Sequence, residues 1–142
     1  MKALTLYASW AHAIAHYSKR VENRTWHPPR PLIGQRFAIH AGAKLDEDGL
    51  DAIDMIEDAS VVAKDVPRSA IVATARLVRS VEFDGLLIPK DADPAVLSDW
   101  WAGPVGWVLD DVQALPTPVP CKGALGLWDV PAEIAAKIGG VR

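Results

Sequence analysis

Residues 70–83, Ala-Ile-Val-Ala-Thr-Ala-Arg-Leu-Val-Arg-Ser-Val-Glu-Phe, constrain this chain most. The run is rich in β-branched side chains and is not broken by glycine or proline, so it reads as strand. It is also too long for a flat one, since strands in globular proteins usually span 3–10 residues. A strand of this length is expected to bend or bulge, as strands do when a sheet curls into a barrel. With 142 residues, the chain fits one domain of the commonest size, about 100–150 residues. No repeat, linker or low-complexity tract divides it, so residues 1–142 are read as a single domain.

Shorter elements surround that strand. Leu4-Thr5-Leu6-Tyr7 reads as a strand, and Ser9 as the N-cap of an Ala-rich helix over 10–17. Pro28, Pro29 and Pro31 impose a loop, because proline supplies no ladder donor. Arg36 to Ala41 alternates as a strand, with Phe37, Ile39 and Ala41 on one face and His40 on the other. From Asp46 to Asp58, Leu50, Ile53, Met55 and Ile56 set against seven acids describe an amphipathic helix. Asp93-Pro94 opens a short helix toward Trp100-Trp101. Residues 106–112 form a strand, Pro116, Pro118 and Pro120 a rigid connection, residues 123–128 a closing strand, and 131–139 a terminal helix.

Lys19-Arg20-Val21-Glu22-Asn23-Arg24-Thr25-Trp26 is the segment most suited to recognition. It carries three cations, a carboxylate, an amide and an indole in eight residues, and it has neither the 3.6-residue period of a packed helix nor the apolar run of a buried strand. Read as extended chain, it places Arg20, Glu22, Arg24 and Trp26 on one face and Lys19, Val21, Asn23 and Thr25 on the other. The bland alternative is a solvated ladder of ion pairs on an edge strand, where each pair is worth about 0–1 kcal/mol.

Charge is unevenly distributed. Residues 1–44 hold seven Lys/Arg against one Glu, and residues 45–142 hold eight against seventeen acids. The first third therefore reads as a basic lobe on a chain whose formal net charge is −3. Such a protein is unsuited to indiscriminate nucleic-acid binding over its whole surface, although a local basic face remains compatible with it. The single cysteine, Cys121, excludes an internal disulfide and suits a reducing, cytoplasmic compartment. Thr5, Ser9, Trp10, His12 and His16 interrupt what a signal peptide would need as an apolar region. No stretch approaches the roughly 20 apolar residues of a membrane span. A monomer with no membrane partner is the expectation.

Taken in order, the Trp-bearing helix, Lys19-x-x-Glu22-Asn23-Arg24-Thr25-Trp26, Ile39-His40-Ala41-Gly42, the long strand, Gly106-Trp107-Val108-Leu109 and Gly123-Ala124-Leu125-Gly126-Leu127-Trp128 resemble the ASCH domain (activating signal cointegrator homology) of the PUA-like superfamily. The resemblance covers nearly the whole chain. It implies an α/β, mainly β, single-domain PUA-like bent β-barrel flanked by helices, with a cleft beside residues 19–24. It also implies binding of RNA or of a modified nucleotide, with the family's lysine, acid and arginine falling on Lys19, Glu22 and Arg24. Two departures stand out. Ser18 replaces the glycine common before the lysine, and Glu22 stands where an acetylcytidine-hydrolysing branch has a threonine.

A binding module needs an aromatic platform, since stacking contributes about 1–3 kcal/mol per base. Trp26, Trp100, Trp101 and Trp107 are the candidates, with Lys19, Glu22, Asn23, Arg24 and His40 as base-edge or phosphate contacts. Trp10 and Trp128 read as core. A hydrolase acting on a modified nucleoside, in the manner of an amidohydrolase, or on RNA, in the manner of a ribonuclease, is the alternative. In it Lys19 would stabilise charge, Glu22 would activate water and His40 would shuttle a proton. Thr25 is a spare hydroxyl, and Lys122 beside Cys121 could lower its thiol pKa. His12 and His16, four apart on a helix, lack the further ligands a zinc site requires, so neither a metal nor a cofactor is expected. The acidic helix could serve a protein-interaction module, a third reading that competes with that of a solvated face.

Overall fold

The computed structural model describes residues 1–139. Six strands and three helices follow one another as β1 (Lys2–Leu6), α1 (Ala8–His16), β2 (Val21–Arg24), β3 (Arg36–Ala41), α2 (Glu47–Glu57), β4 (Ala70–Glu82), β5 (Val105–Pro120), β6 (Leu127–Asp129) and α3 (Ala132–Ile138). The strands make one curled sheet in the order β2-β5-β4-β3-β1-β6. Only β1 and β3 run parallel, and α1 supplies part of the crossover that such a pair needs.

The length of residues 70–83 is resolved by irregular pairing. Strand β4 spans thirteen residues, and its register against β5 shifts at Ile71/Ala73, Thr74/Arg76 and Leu77/Arg79. Each shift adds bend and twist, and together they roll the sheet into a mainly β half-barrel. Helix α1 packs on β3, β4 and β5. Its Ile14 joins Leu4, Phe37, Leu77 and the fully buried Trp107 in the core.

Several expectations change: the helix opened by Asp93-Pro94 is a 3-10 turn that ends at Leu97, and the closing strand is Leu127–Asp129. Ser9 lies within the first turn of α1 and does not cap it. Tyr7 holds the cap position without a side-chain bond, and Ser9 Oγ donates to the Asp46 carbonyl instead. Strand β5 runs on through Pro116, Pro118 and Pro120. Strand β2 pairs with it only at Val105–Val108, so beyond that point β5 has a free edge on which missing donors cost no ladder bond. Helix α2 starts as expected, with the Asp46 carboxylate accepting from Asp48 N, but Met55 faces solvent at 85% exposure. Among the described residues no helix is long and apolar enough to cross a membrane.

Folding engages much of the basic lobe internally. Lys2 pairs with Asp129 and Arg36 with Asp111, while Arg20 Nη1 donates to the carbonyls of Ile14, Tyr17 and Lys19 at the end of α1.

Candidate functional site

The sheet closes incompletely, and the opening forms the cleft. Strand β6 is three residues long and pairs with β1 only at Lys2–Leu4. Thr5, Leu6 and Tyr7 are left facing β2 across a cavity of about 830 Å³, within the 300–1,000 Å³ typical of small-molecule sites. Arg24 spans the gap, its Nη2 donating to the Thr5 carbonyl at 3.0 Å.

Three charged side chains form the floor. The alternation of β2 turns Glu22 and Arg24 into the cleft. Lys19, just before the strand, is 1% exposed. Its Nζ donates to the Val21 carbonyl and to Glu22 Oε1 at 3.2 Å, and sits 5.6 Å from the Trp10 ring centroid. Burial pushes the Lys19 ammonium below its usual range, opposed by the charge and hydrogen bond of Glu22. Arg24 Nε lies 3.1 Å from Glu22 Oε2 yet makes no hydrogen bond although buried. Glu22 Oε2 accepts none among the described residues. The floor therefore holds donor and acceptor capacity side by side, and an unsatisfied buried donor costs about 1–3 kcal/mol until something meets it.

Aromatic side chains wall the cleft. Trp10 of α1 donates from Nε1 to Asp46 Oδ2 at 2.9 Å and meets Trp100 edge to face, centroids 6.5 Å apart. Trp101 stands beside Trp100 in the lining. Leu125, 99% exposed, lines the cavity as well.

The structure thus brings together Lys19, Glu22, Asn23, Arg24, Trp100 and Trp101 in one lining. It places Trp26, Trp107 and His40 elsewhere. Trp107 is fully buried and donates from Nε1 to the Trp26 carbonyl, with the two rings edge to face at 5.0 Å. Strand β2 ends at Arg24, so the two-residue period that put Trp26 beside Arg24 does not extend to it. His40 lies on the far side of Thr5. Its Nε2 is 2.6 Å from the Cys121 carbonyl and its Nδ1 3.1 Å from Thr5 Oγ1. A carbonyl can only accept, so Nε2 carries the proton and Nδ1 accepts. Burial pushes His40 below the usual imidazole range, opposed by the Cys121 carbonyl.

Sequence reasoning missed Trp10, whose place in an Ala-rich helix reads as core. Of the remaining candidates, Thr25 is exposed. Cys121 is pushed up by burial rather than down by Lys122, which opposes a reactive thiol. His12 and His16 lie with ring centroids 4.9 Å apart, and no group of three metal-ligating side chains occurs among the described residues.

The sequence matches no protein-family model and no curated protein. Among solved structures, the ASCH protein of Zymomonas mobilis superposes with a TM-score of 0.56 at 16% identity, covering 99% of this chain and 94% of that one. A tyrosine-to-phenylalanine variant of it gives 0.57 at 17%, covering 99% and 96%. A serine-to-alanine variant gives 0.56 at 17%, covering 98% and 94%. The fold is that of the ASCH proteins, as the order of motifs in the sequence implied.

Proposed function

We propose that a chain with this fold and this cleft binds a nucleobase, from RNA or from a modified nucleotide, between the tryptophan wall and the Lys19–Glu22–Arg24 floor. The observation that carries the reading is the buried Arg24 Nε, which makes no hydrogen bond although it is ion-paired with Glu22 Oε2. The edge of a base offers an acceptor next to a donor, and a flipped or unpaired base is read by such edge contacts together with stacking. Specificity comes from the floor and affinity from Trp10, Trp100 and Trp101.

Phosphate contributes little in this reading. Of the seven cations in residues 1–44, Lys2, Lys19, Arg24 and Arg36 are paired with carboxylates, and Arg20 is engaged by carbonyls. Few remain to release counterions, so binding of single-stranded RNA should weaken only modestly with salt. The test is a tryptophan-fluorescence titration with nucleosides and a short single-stranded RNA. Quenching on binding is expected, with at least tenfold weaker binding in the Lys19→Ala, Arg24→Ala double variant. Unchanged affinity in that variant, with its circular dichroism intact, would sink the reading.

A hydrolytic reading is favoured by one observation, the buried Lys19 whose depressed pKa brings its neutral amine within easier reach beside a carboxylate. In it Glu22 activates water and Lys19 moves protons, while His40, with both ring nitrogens engaged, takes no part. Incubation with acetylcytidine and other acylated nucleosides, followed by chromatography, should show little acetylcytidine turnover. Any turnover present should vanish with Glu22→Gln; its survival there removes Glu22 as the base.

A further inference from the structure

The two halves of the cleft are joined through a single strand. Alternation along β2 sends Glu22 and Arg24 to the floor and turns Asn23 the other way, where its carboxamide meets the backbone of the segment carrying the aromatic wall. Asn23 Nδ2 donates to the Trp100 carbonyl at 3.0 Å. Asn23 Oδ1 accepts from Ala102 N at 2.8 Å and Gly103 N at 3.0 Å. Both lone pairs of that oxygen and one of the two Nδ2 hydrogens are occupied, so Asn23 has no acceptor left with which to read a ligand and most of its capacity is spent on the wall.

Residues 99–104 belong to no helix or strand, so side chains must hold this part of the wall. Trp100 Nε1 donates to Ser18 Oγ at 3.1 Å, and Ser18 donates onward to Glu57 of α2. The Trp101 ring lies against Gly106, where an added Cβ would run into the ring and into Val21. Ser98 accepts from Trp100 N and Trp101 N at the start of the segment, whereas Asn23 ties that backbone to the strand carrying the floor.

We infer that Asn23 is a positioning residue: it sets the spacing between the Trp100–Trp101 wall and the Lys19–Glu22–Arg24 floor rather than selecting the base. This rests on the reading of the cleft as a nucleobase site. Aspartate cannot replace it, because a carboxylate would face the Trp100 carbonyl with no proton between them. Alanine leaves two N–H groups and a carbonyl without partners. In either case the floor keeps its charges while the wall loses its fixed position. Every base that stacks on the wall should be affected alike.

That uniformity separates positioning from recognition. Asn23→Ala, with Asn23→Ser as the milder variant should alanine not fold, is titrated with adenosine, guanosine, cytidine and uridine, and its tryptophan quenching by acrylamide is measured without nucleoside. Affinity for every nucleoside that the unmodified protein binds should fall at least fivefold and by a common factor, with quenching raised. A loss that differs between bases by more than threefold would make Asn23 a base-reading residue and overturn the inference, as would raised quenching with unchanged affinities. If the unmodified protein binds no nucleoside, the base-binding reading falls and Asn23's ligand-positioning role falls with it. A rise in quenching would then show only that Asn23 holds the wall.

Discussion

Two buried polar clusters meet at Thr5, and only one has hydrogen-bonding capacity left over. On one side the Thr5 carbonyl accepts from Arg24, which belongs to the floor with Lys19 and Glu22. On the other, Trp128 Nε1 donates to Thr5 Oγ1 at 3.0 Å, Thr5 Oγ1 donates to His40 Nδ1, and His40 Nε2 donates to the Cys121 carbonyl. That relay ends on a backbone acceptor with each named group satisfied, and an added Cβ at Gly123 would come within 2.6 Å of the imidazole. In the floor, Arg24 Nε makes no hydrogen bond, although it is ion-paired with Glu22 Oε2 at 3.1 Å. A satisfied network rigidifies the fold, whereas leftover capacity beside a cavity invites a ligand. Residue type alone would rank the histidine as high as the lysine.

Removing a floor charge should have the largest effect. Glu22→Ala leaves Lys19 and Arg24 without their shared carboxylate, and breaking a buried pair in this way costs about 3–5 kcal/mol. Urea unfolding measures it, and a loss below about 1 kcal/mol would place the floor in the class of screened surface pairs and dissolve the contrast. His40→Ala comes next. It empties a packed site and strands the Thr5 hydroxyl and Cys121 carbonyl, at about 2–3 kcal/mol, but nucleoside affinity should stay within twofold of the unaltered protein. Affinity falling as far as in the Lys19→Ala, Arg24→Ala variant would bring His40 into the site.

The smallest expected effect is on pH dependence. Burial lowers the pKa of His40, and burial together with the charge of His16 lowers that of His12, from the reference 6.5. Between each folded value and 6.5 the unfolded chain binds more protons than the folded one. Stability therefore declines as pH falls through 6.5 toward the folded values, and these groups add no dependence above 6.5. His40→Asn should flatten part of that slope and His12→Asn another part. A protein that gained stability on acidification from pH 7 to 5, read by thermal melts, would contradict the buried relay.

Much of the architecture was legible because its signals are local. The β-branched run of β4, the acids around α2 and the order of the motifs each depend on neighbours in the chain. The prolines of β5 misled because whether a missing N–H matters depends on a neighbouring strand, and β2 begins only at Val21, opposite Val108. The tryptophans were partly exchanged for a similar reason. Trp26 follows the motif but lies beyond the strand's end, while Trp10 looks like core in its helix and lines the cleft only because Trp100 and Asp46 arrive beside it from elsewhere.

By itself the sequence determined the curled β architecture and the concentration of recognition chemistry in residues 19–24, since periodicity and residue type act over a few positions. Only the tertiary structure decided which charges remain available. Lys2 and Arg36 find Asp129 and Asp111 across the fold, Arg20 turns back to cap α1, and much of the apparent basic lobe is engaged internally. The physical reason is that a charge or a hydrogen-bonding group is defined by what stands within about 4 Å of it, and in a sheet ordered β2-β5-β4-β3-β1-β6 those neighbours are drawn from distant parts of the chain.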